Sequence, residues 1–228
     1  MERIKIFVVG SGKLANAILT SDLSFQSCDV LKWETHYQTF NEKAIIVHAG
    51  SGRQFKECFE FCERTNSVFI ELSTGLETEK MAPEFPLIIC PNTSILVLKT
   101  LNMIKANGRH FENYKISITE SHQSTKKTEP GTAYAFANSL KFPPDKIVSI
   151  RDPKIQLNKI DIPKEYIDKH AYHKIVIKDG CDEVTIETKV LGHDAYAHGV
   201  KKIIEMVLEY SLENKRYTVF DLIDNNML

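Results

Sequence analysis

The stretch RIKIFVVGSGKLANAIL, residues 3–19, decides how the fold is read. Arg3–Val9 is apolar and β-branched, Gly10-Ser11-Gly12 breaks the run, and Lys13–Leu19 has helical spacing with good helix formers. A strand that turns through glycines into a helix opens a βαβ unit. Within it, Gly10-x-Gly12-x-x-Ala15 has the spacing that lets a backbone approach a pyrophosphate while the helix N-terminus offers free N–H groups. Gly10, Ser11, Gly12, Lys13, Leu14 and Ala15 are therefore candidate dinucleotide contacts; the bland alternative is a tight strand-to-helix turn. Glu34 stands about twenty residues on, where an acidic side chain can bind a ribose diol. Its bland alternative is a solvated surface glutamate.

Working outward, short apolar runs at 29–33, 44–47, 68–71 and 87–90 alternate with helical spacing at 54–64 and a shorter segment at 77–82. That alternation predicts a parallel sheet with crossover helices over roughly the first 93 residues. Polar or glycine-rich breaks follow three of the runs: His48-Ala49-Gly50-Ser51-Gly52, Ser73-Thr74-Gly75 and Pro91-Asn92-Thr93. In an open α/β sheet the carboxyl ends of the strands line the ligand crevice, so these breaks are expected to face a cofactor together, unless they are plain turns.

Beyond residue 93 the pattern changes. Residues 94–107 read as a long apolar helix, 114–120 alternate as a half-buried strand, and 132–140 return to helical spacing. Residues 141–166 carry Pro143, Pro144, Pro153 and Pro163 and read as a long irregular connection. Two antiparallel strands are predicted at 174–178 and 183–189, joined at Asp179-Gly180, with a last helix at 197–212. The fold class is α/β: an N-terminal Rossmann-type domain followed by an α+β domain with an open mixed sheet.

A formal net charge of −1 provides no basic field for a nucleic-acid backbone or an anionic membrane. The five cysteines are an odd number without dense spacing, which suits a reducing compartment better than a disulfide framework. Cys58 and Cys62 share a helix face and read as core, since no further metal ligands lie nearby in sequence. The first apolar run is too short for a bilayer, which needs ~20 residues, and has none of the parts of a signal peptide. A cytoplasmic protein without nucleic-acid, membrane or metal partners is the expectation.

The segment ESHQSTKKTEPGTA, 120–133, is the chemically richest. A histidine, two lysines and a Gly-Thr step into a helix make a loop that can hold an anion and donate a proton, unless it is merely a solvated charged loop.

Six segments in order, GSGKLA (10–15), LSTG (72–75), CPNTS (90–94), ESHQSTKKTEPGTA (120–133), YAHG (196–199) and VFDLIDNNML (219–228), resemble those of the 4-hydroxy-tetrahydrodipicolinate reductase (dihydrodipicolinate reductase) family. The resemblance implies that His122 is the acid/base and Lys126 the proton-donating lysine, with Lys127 able to take the place of Lys126 if the deletion is placed differently. It implies that Gly131 and Thr132 hold a substrate carboxylate, and that Leu72, Ser73, Thr74, Cys90, Pro91, Asn92 and Thr93 lie beside the nicotinamide half of NAD(P)H. His48, in the break after the run at 44–47, is a further candidate cofactor contact from its place at a strand end. Gln123 stands where the family has a substrate-binding histidine, Thr128-Glu129 where it has Asp-Ala, and the serine before Gly-Thr is missing. The implied architecture is a cofactor domain of residues 1–93, to which 196–228 return, and a substrate and oligomerisation domain of 94–195 that builds a homotetramer. The implied reaction reduces a small cyclic imine dicarboxylate. A reductase diverged to another imine or carbonyl acid, and a non-catalytic nucleotide sensor, stand beside it as alternatives.

One prediction comes from residues 32–36 alone. No arginine follows Glu34 to take a 2′-phosphate, so NADH should bind at least as tightly as NADPH. Titration calorimetry with both cofactors checks this; NADPH tighter by more than about tenfold, ~1.4 kcal/mol, would overturn it.

Overall fold

The computed structural model describes residues 3–20, 25, 27–126 and 128–228. In chain order it begins with β1 (Ile4–Val9), α1 (Lys13–Thr20), β2 (Cys28–Lys32), β3 (Ile45–His48), α2 (Phe55–Thr65), β4 (Val68–Glu71), β5 (Leu87–Ile89) and α3 (Ile95–Asn107). Next come β6 (Lys115–His122), α4 (Gly131–Ser139), β7 (Val148–Ile150), α5 (Pro153–Lys159), β8 (His170–Asp179) and β9 (Asp182–Leu191). The last elements are α6 (Asp194–Glu209), β10 (Arg216–Thr218) and α7 (Val219–Asp224). Two compact units result: Met1–Ile95 with Tyr196–Leu228, and Leu96–Ala195.

The first unit holds a six-stranded sheet in the order β10-β5-β4-β3-β1-β2, parallel throughout. Ile6–Val9 of β1 and all residues of β3, β4 and β5 are buried, as strands covered on both faces must be. One face meets α2 through Phe7, Val9, Ile46, Phe69, Leu87, Phe61, Cys58 and Cys62. Phe7 is the centre of this layer, its ring 5.4 Å from Trp33, 4.5 Å from Tyr37 and 6.1 Å from Phe61. The alternate residues Ile6, Val8, Val47, Ile70 and Ile88 face the other way and are equally buried. Strand order reverses between β2 and β3 on either side of β1, so the loop after β1 opens at a topological switch point. The chain closes with Thr218 as N-cap of α7, in a capping box with Asp221.

The second unit holds a four-stranded mixed sheet, β7-β6-β8-β9, in which β6 runs parallel to β7 and antiparallel to β8. Gly180, at φ 55°, starts the two-residue connection between β8 and β9. β8 is largely buried, whereas β9 is an edge strand exposed along most of its length.

Both sheets agree with the α/β reading, but one segment does not. Residues 141–166 are structured: β7 and α5 lie within them. Asp152 caps α5, its side chain accepting from the Lys154 N–H at 2.8 Å, and Pro153 occupies the first helical turn. Proline at that position starts a helix rather than breaking one, and elements of three and seven residues are too short to show a period. Conversely, the segment at 77–82 contains a single 3-10 turn, Glu77–Glu79. Among the described residues no helix is long and apolar enough to cross a membrane.

Two glycines give opposite expectations. A Cβ on Gly199 of α6 would stand 1.6 Å from the Thr93 carbonyl oxygen, whereas one on Gly12 would meet nothing within 4 Å. Gly199→Ala should therefore destabilise by about 3 kcal/mol or more, and Gly12→Ala by no more than about 0.5 kcal/mol. Thermal unfolding of the two variants against wild type is the measurement, and equal midpoints would contradict the packing described.

Candidate functional site

In the first unit, loops at the carboxyl ends of four strands surround a cavity of about 420 Å³. Its walls are Gly12, Lys13 and Leu14 after β1, Ala49 and Ser51 after β3, Leu72, Ser73, Thr74 and Leu76 after β4, and Pro91 after β5. The N-terminus of α1 thus opens onto the cavity, with Gly12 and Lys13 exposed and no atom near the space a Gly12 side chain would fill. Exposed helix N–H groups beside a lysine suit a phosphate. Gly10 has a different use: at φ 122°, its missing Cβ would be 2.5 Å from the Ala49 carbonyl oxygen, so the loops after β1 and β3 touch.

Seven of the residues anticipated for a cofactor line this cavity: Gly12, Lys13, Leu14, Leu72, Ser73, Thr74 and Pro91. Ala49, Ser51 and Leu76 were not singled out, although the glycine-rich break after β3 held the signal for the first two. Ser11 and Gly10 flank the wall, and Ala15 is buried on the inner side of α1. Glu34, at the end of β2, is exposed and lies 3.3 Å from His36 Nδ1. Cys90 is buried, its thiol donating to the Asn92 carbonyl at 3.0 Å, while Asn92 Oδ1 accepts from the Ser94 N–H. Thr93 is buried and donates to the Tyr196 carbonyl. His48 needs correction as a direct contact: its ring is fully buried, with Nδ1 2.9 Å from Glu71 and Nε2 3.0 Å from the Arg53 carbonyl. Both nitrogens are committed inside the protein, so its imidazole is not presented to a ligand.

In the second unit, the chemistry gathers at the end of β6. Glu120 and His122 are two residues apart on one strand and so share a sheet face; His173 of β8 sits directly across from Glu120. The Glu120 carboxylate is fully buried, yet accepts from His122 Nδ1 at 2.7 Å and from the Arg151 guanidinium at 2.6 Å. Burial pushes this carboxyl up, but hydrogen bonds from His122, Arg151 and Ser149 outweigh it and hold it at about 2. With Nδ1 tied to a carboxylate, His122 has Nε2 left for proton exchange. Burial, with the neighbouring His122, pushes His173 down to about 4. Its Nδ1 is 3.1 Å from Thr188 Oγ1, and its Nε2 has no hydrogen-bond partner among the described residues. On the opposite face Ser121 is 2.9 Å from His170 Nε2 and accepts from Gln156 at 3.0 Å.

The loop that follows carries the remaining candidates. Gln123 is half-buried, and its carbonyl accepts from the Lys126 N–H at 3.0 Å. Lys126 Nζ donates to Thr128 Oγ1 at 3.0 Å. Lys127 lies outside the described residues. Gly131, exposed, and Thr132, half-buried, form the first turn of α4. Arg151, His170 and His173 were missed from sequence because they come from other elements, Arg151 from a stretch read as irregular. Glu120 could have been found: it lies two residues before His122, on a segment already read as a strand.

Comparison with known proteins adds the following. The family model described as dihydrodipicolinate reductase, C-terminus, matches residues 96–224, more than half of the chain. Among curated proteins, a probable 4-hydroxy-tetrahydrodipicolinate reductase 2, chloroplastic, of Oryza sativa subsp. japonica is 30% identical over 121 residues, covering 50% of this chain and 37% of that protein. The Arabidopsis thaliana 4-hydroxy-tetrahydrodipicolinate reductase 1, chloroplastic, is 28% identical over 121 residues, covering 50% and 35%. The matched part thus spans little more than a third of the length of these relatives. Among solved structures, a dipicolinate-bound dihydrodipicolinate reductase from Paenisporosarcina sp. TG-14 superposes with a TM-score of 0.69 over 97% of this chain and 99% of that one, at 14% identity. A DAP dehydrogenase from C. glutamicum in complex with DAP gives 0.53 over 97% and 94%, at 8% identity. At such identities the likeness is one of fold.

The charge pattern around Glu120 fixes a pH dependence. His173 binds fewer protons folded than unfolded between its ordinary 6.5 and about 4, so stability is complete above that window and falls as pH drops through it. Glu120 acts lower, its contribution being present above 4.5 and lost as pH approaches about 2. The His173 loss amounts to about 3 kcal/mol. Thermal midpoints from pH 7 to 4 should fall steeply in wild type and less in His173→Leu; parallel curves would refute this source of acid sensitivity.

Proposed function

The chain belongs to the dihydrodipicolinate reductase family, and from that premise we propose that it is an NAD(P)H-dependent reductase of a small cyclic imine dicarboxylate. In this reading 4-hydroxy-tetrahydrodipicolinate loses water and takes up a hydride and a proton to give tetrahydrodipicolinate, a step toward diaminopimelate and lysine. The observation that carries it is the Glu120–His122 couple at the end of β6, directly before the loop that leads into α4.

Glu120, ionised throughout the working pH range, fixes the His122 tautomer and leaves Nε2 to move a proton at the substrate. Arg151 stabilises that carboxylate from the other side, so the charge is not spent on the substrate's own carboxylates. Those are met instead by the Lys126 ammonium, or that of Lys127, and by the first turn of α4 at Gly131 and Thr132. Gln123 adds a neutral amide. Positive groups set where negative charge resides and develops are the main source of acceleration in such a site. The cavity of the first unit fits a dinucleotide, because the exposed first turn of α1 leaves its backbone open to a pyrophosphate beside Lys13. When bound, the reduced nicotinamide supplies the hydride. The exposed edge of β9 supports pairing between subunits and, with it, a homotetramer.

A second reading rests on the loop itself. Gln123 replaces a substrate-binding histidine, and Glu129 adds negative charge where a dianion must enter. These changes favour a reductase of the same fold acting on a different imine or carbonyl acid. An assay in which the preceding synthase generates the substrate while NADH or NADPH absorbance is followed separates the two. No oxidation with the dipicolinate-type substrate, alongside measurable cofactor binding, would favour the second.

In the same assay His122→Ala and Lys126→Ala should each lower turnover by about 100-fold or more. Glu120→Gln should fall between these variants and wild type, and none of the three should alter cofactor affinity. A larger loss at Lys127→Ala than at Lys126→Ala would transfer the proton-donating role to Lys127.

A further inference from the structure

We infer that His48 and Glu71 form a buried positioning pair that sets the two loops walling the cofactor cavity. This rests on the cavity of the first unit being the dinucleotide site. His48 ends β3 and Glu71 ends β4, and the two are directly opposed in register. Both side chains are wholly buried, with Nδ1 2.9 Å from each carboxylate oxygen. The remaining contacts of the pair run outward into the loops. His48 Nε2 faces the Arg53 carbonyl at 3.0 Å, and Glu71 Oε1 accepts from the Ser73 N–H at 2.8 Å. Ser73 Oγ in turn accepts from the Ser51 N–H at 3.1 Å. Ser51 and Ser73 line the cavity.

The proton arrangement makes this pair more than a filled space. A carbonyl can only accept, so Nε2 must carry a hydrogen. One further proton is shared between Nδ1 and the carboxyl, so the contact is charge-assisted if the proton resides on the ring. The loop after β3 also needs such an anchor: Ser51, Gly52 and Gln54 all have positive φ, and Gly50 leaves only 2.9 Å between its missing Cβ and His48 Nε2. Backbone of this kind persists only where its surroundings over-determine it. A leucine-sized filler at position 71 would keep the volume and lose the hydrogen bonds to His48 Nδ1 and to the Ser73 N–H. A glutamine could keep them, donating to Nδ1 of a neutral ring while its oxygen accepts from Ser73.

The test measures NADH and NADPH dissociation constants, with circular dichroism and thermal midpoints, for the full chain and for Glu71→Leu, Glu71→Gln and Glu71→Asp. Glu71→Leu should weaken binding by about tenfold or more at a temperature where it is folded, because displaced positioning groups are costly. Glu71→Gln should restore affinity to within about threefold of wild type, since the hydrogen-bond set is retained. If Glu71→Leu does not fold, Glu71→Asp decides: its shorter arm cannot reach both His48 and Ser73, and binding should again weaken. A folded Glu71→Leu, or failing that Glu71→Asp, that binds as wild type does would overturn the inference and leave the pair a matter of stability alone. Wild type binding neither nucleotide would overturn the cofactor reading, and this inference with it.

Discussion

A strand buried on both faces admits a polar side chain only where that side chain is fully paired, and four strands of the first unit are buried in this way. Ile6–Val9 of β1 and all of β5 are accordingly apolar, and β3 and β4 are apolar until their last residue. There the sheet ends, backbone groups reach loops, and polar residues enter: His48, Glu71 and, just beyond, Ser73 and Asn92. The cavity is where it is because the carboxyl edge is the one place at which this sheet can carry chemistry. The crossover connections then bring four such edges side by side, with the helix after the first strand adding its N-terminus.

The second unit solves a different problem. Its sheet meets α4 on one face and α5 on the other and leaves an edge in the open, so it can hold a charged group beneath the surface if enough donors surround it. Glu120 has three, and this is why burial does not neutralise it. His173, lowered as well but toward its neutral form, stands across the same pair of strands and sets a neutral base beside an ionised acid near pH 7. His122 lies next to both, 5.9 Å between its ring and that of His173. Its setting is therefore strongly polarised, as the proposed acid/base role would require.

The sequence made the parallel sheet legible because β-branched runs bounded by glycines have few other solutions. Spacing alone set Gly10, Gly12 and Lys13 at the turn from the first strand into the first helix, where the structure has them, and His122 and Lys126 were marked as candidates by the order of segments around them. His48 was misassigned because a strand-terminal histidine looks alike whether it faces out or in; only the carboxylate of Glu71, on another strand, turns it inward. Arg151 was hidden for a related reason. It follows a three-residue strand in a proline-bearing stretch, and such a strand is defined by its partner rather than by any pattern of its own. Pairings across elements are what a linear reading lacks.

The place of β10 has a consequence for how the polypeptide is made. This strand pairs with β5, yet the whole of Leu96–Ala195 lies between them in the chain. During vectorial synthesis the N-terminal five strands emerge with an open edge and without α6, whose Gly199 must fit beneath Thr93. At about 5–20 residues per second that edge stays uncovered for many seconds. Leu87, Ile88 and Ile89, buried in the finished molecule, are apolar and strand-forming, the kind of surface that recruits stray strands. β5 is thus an apolar edge that the growing chain leaves unpaired until the C-terminal segment arrives to cover it.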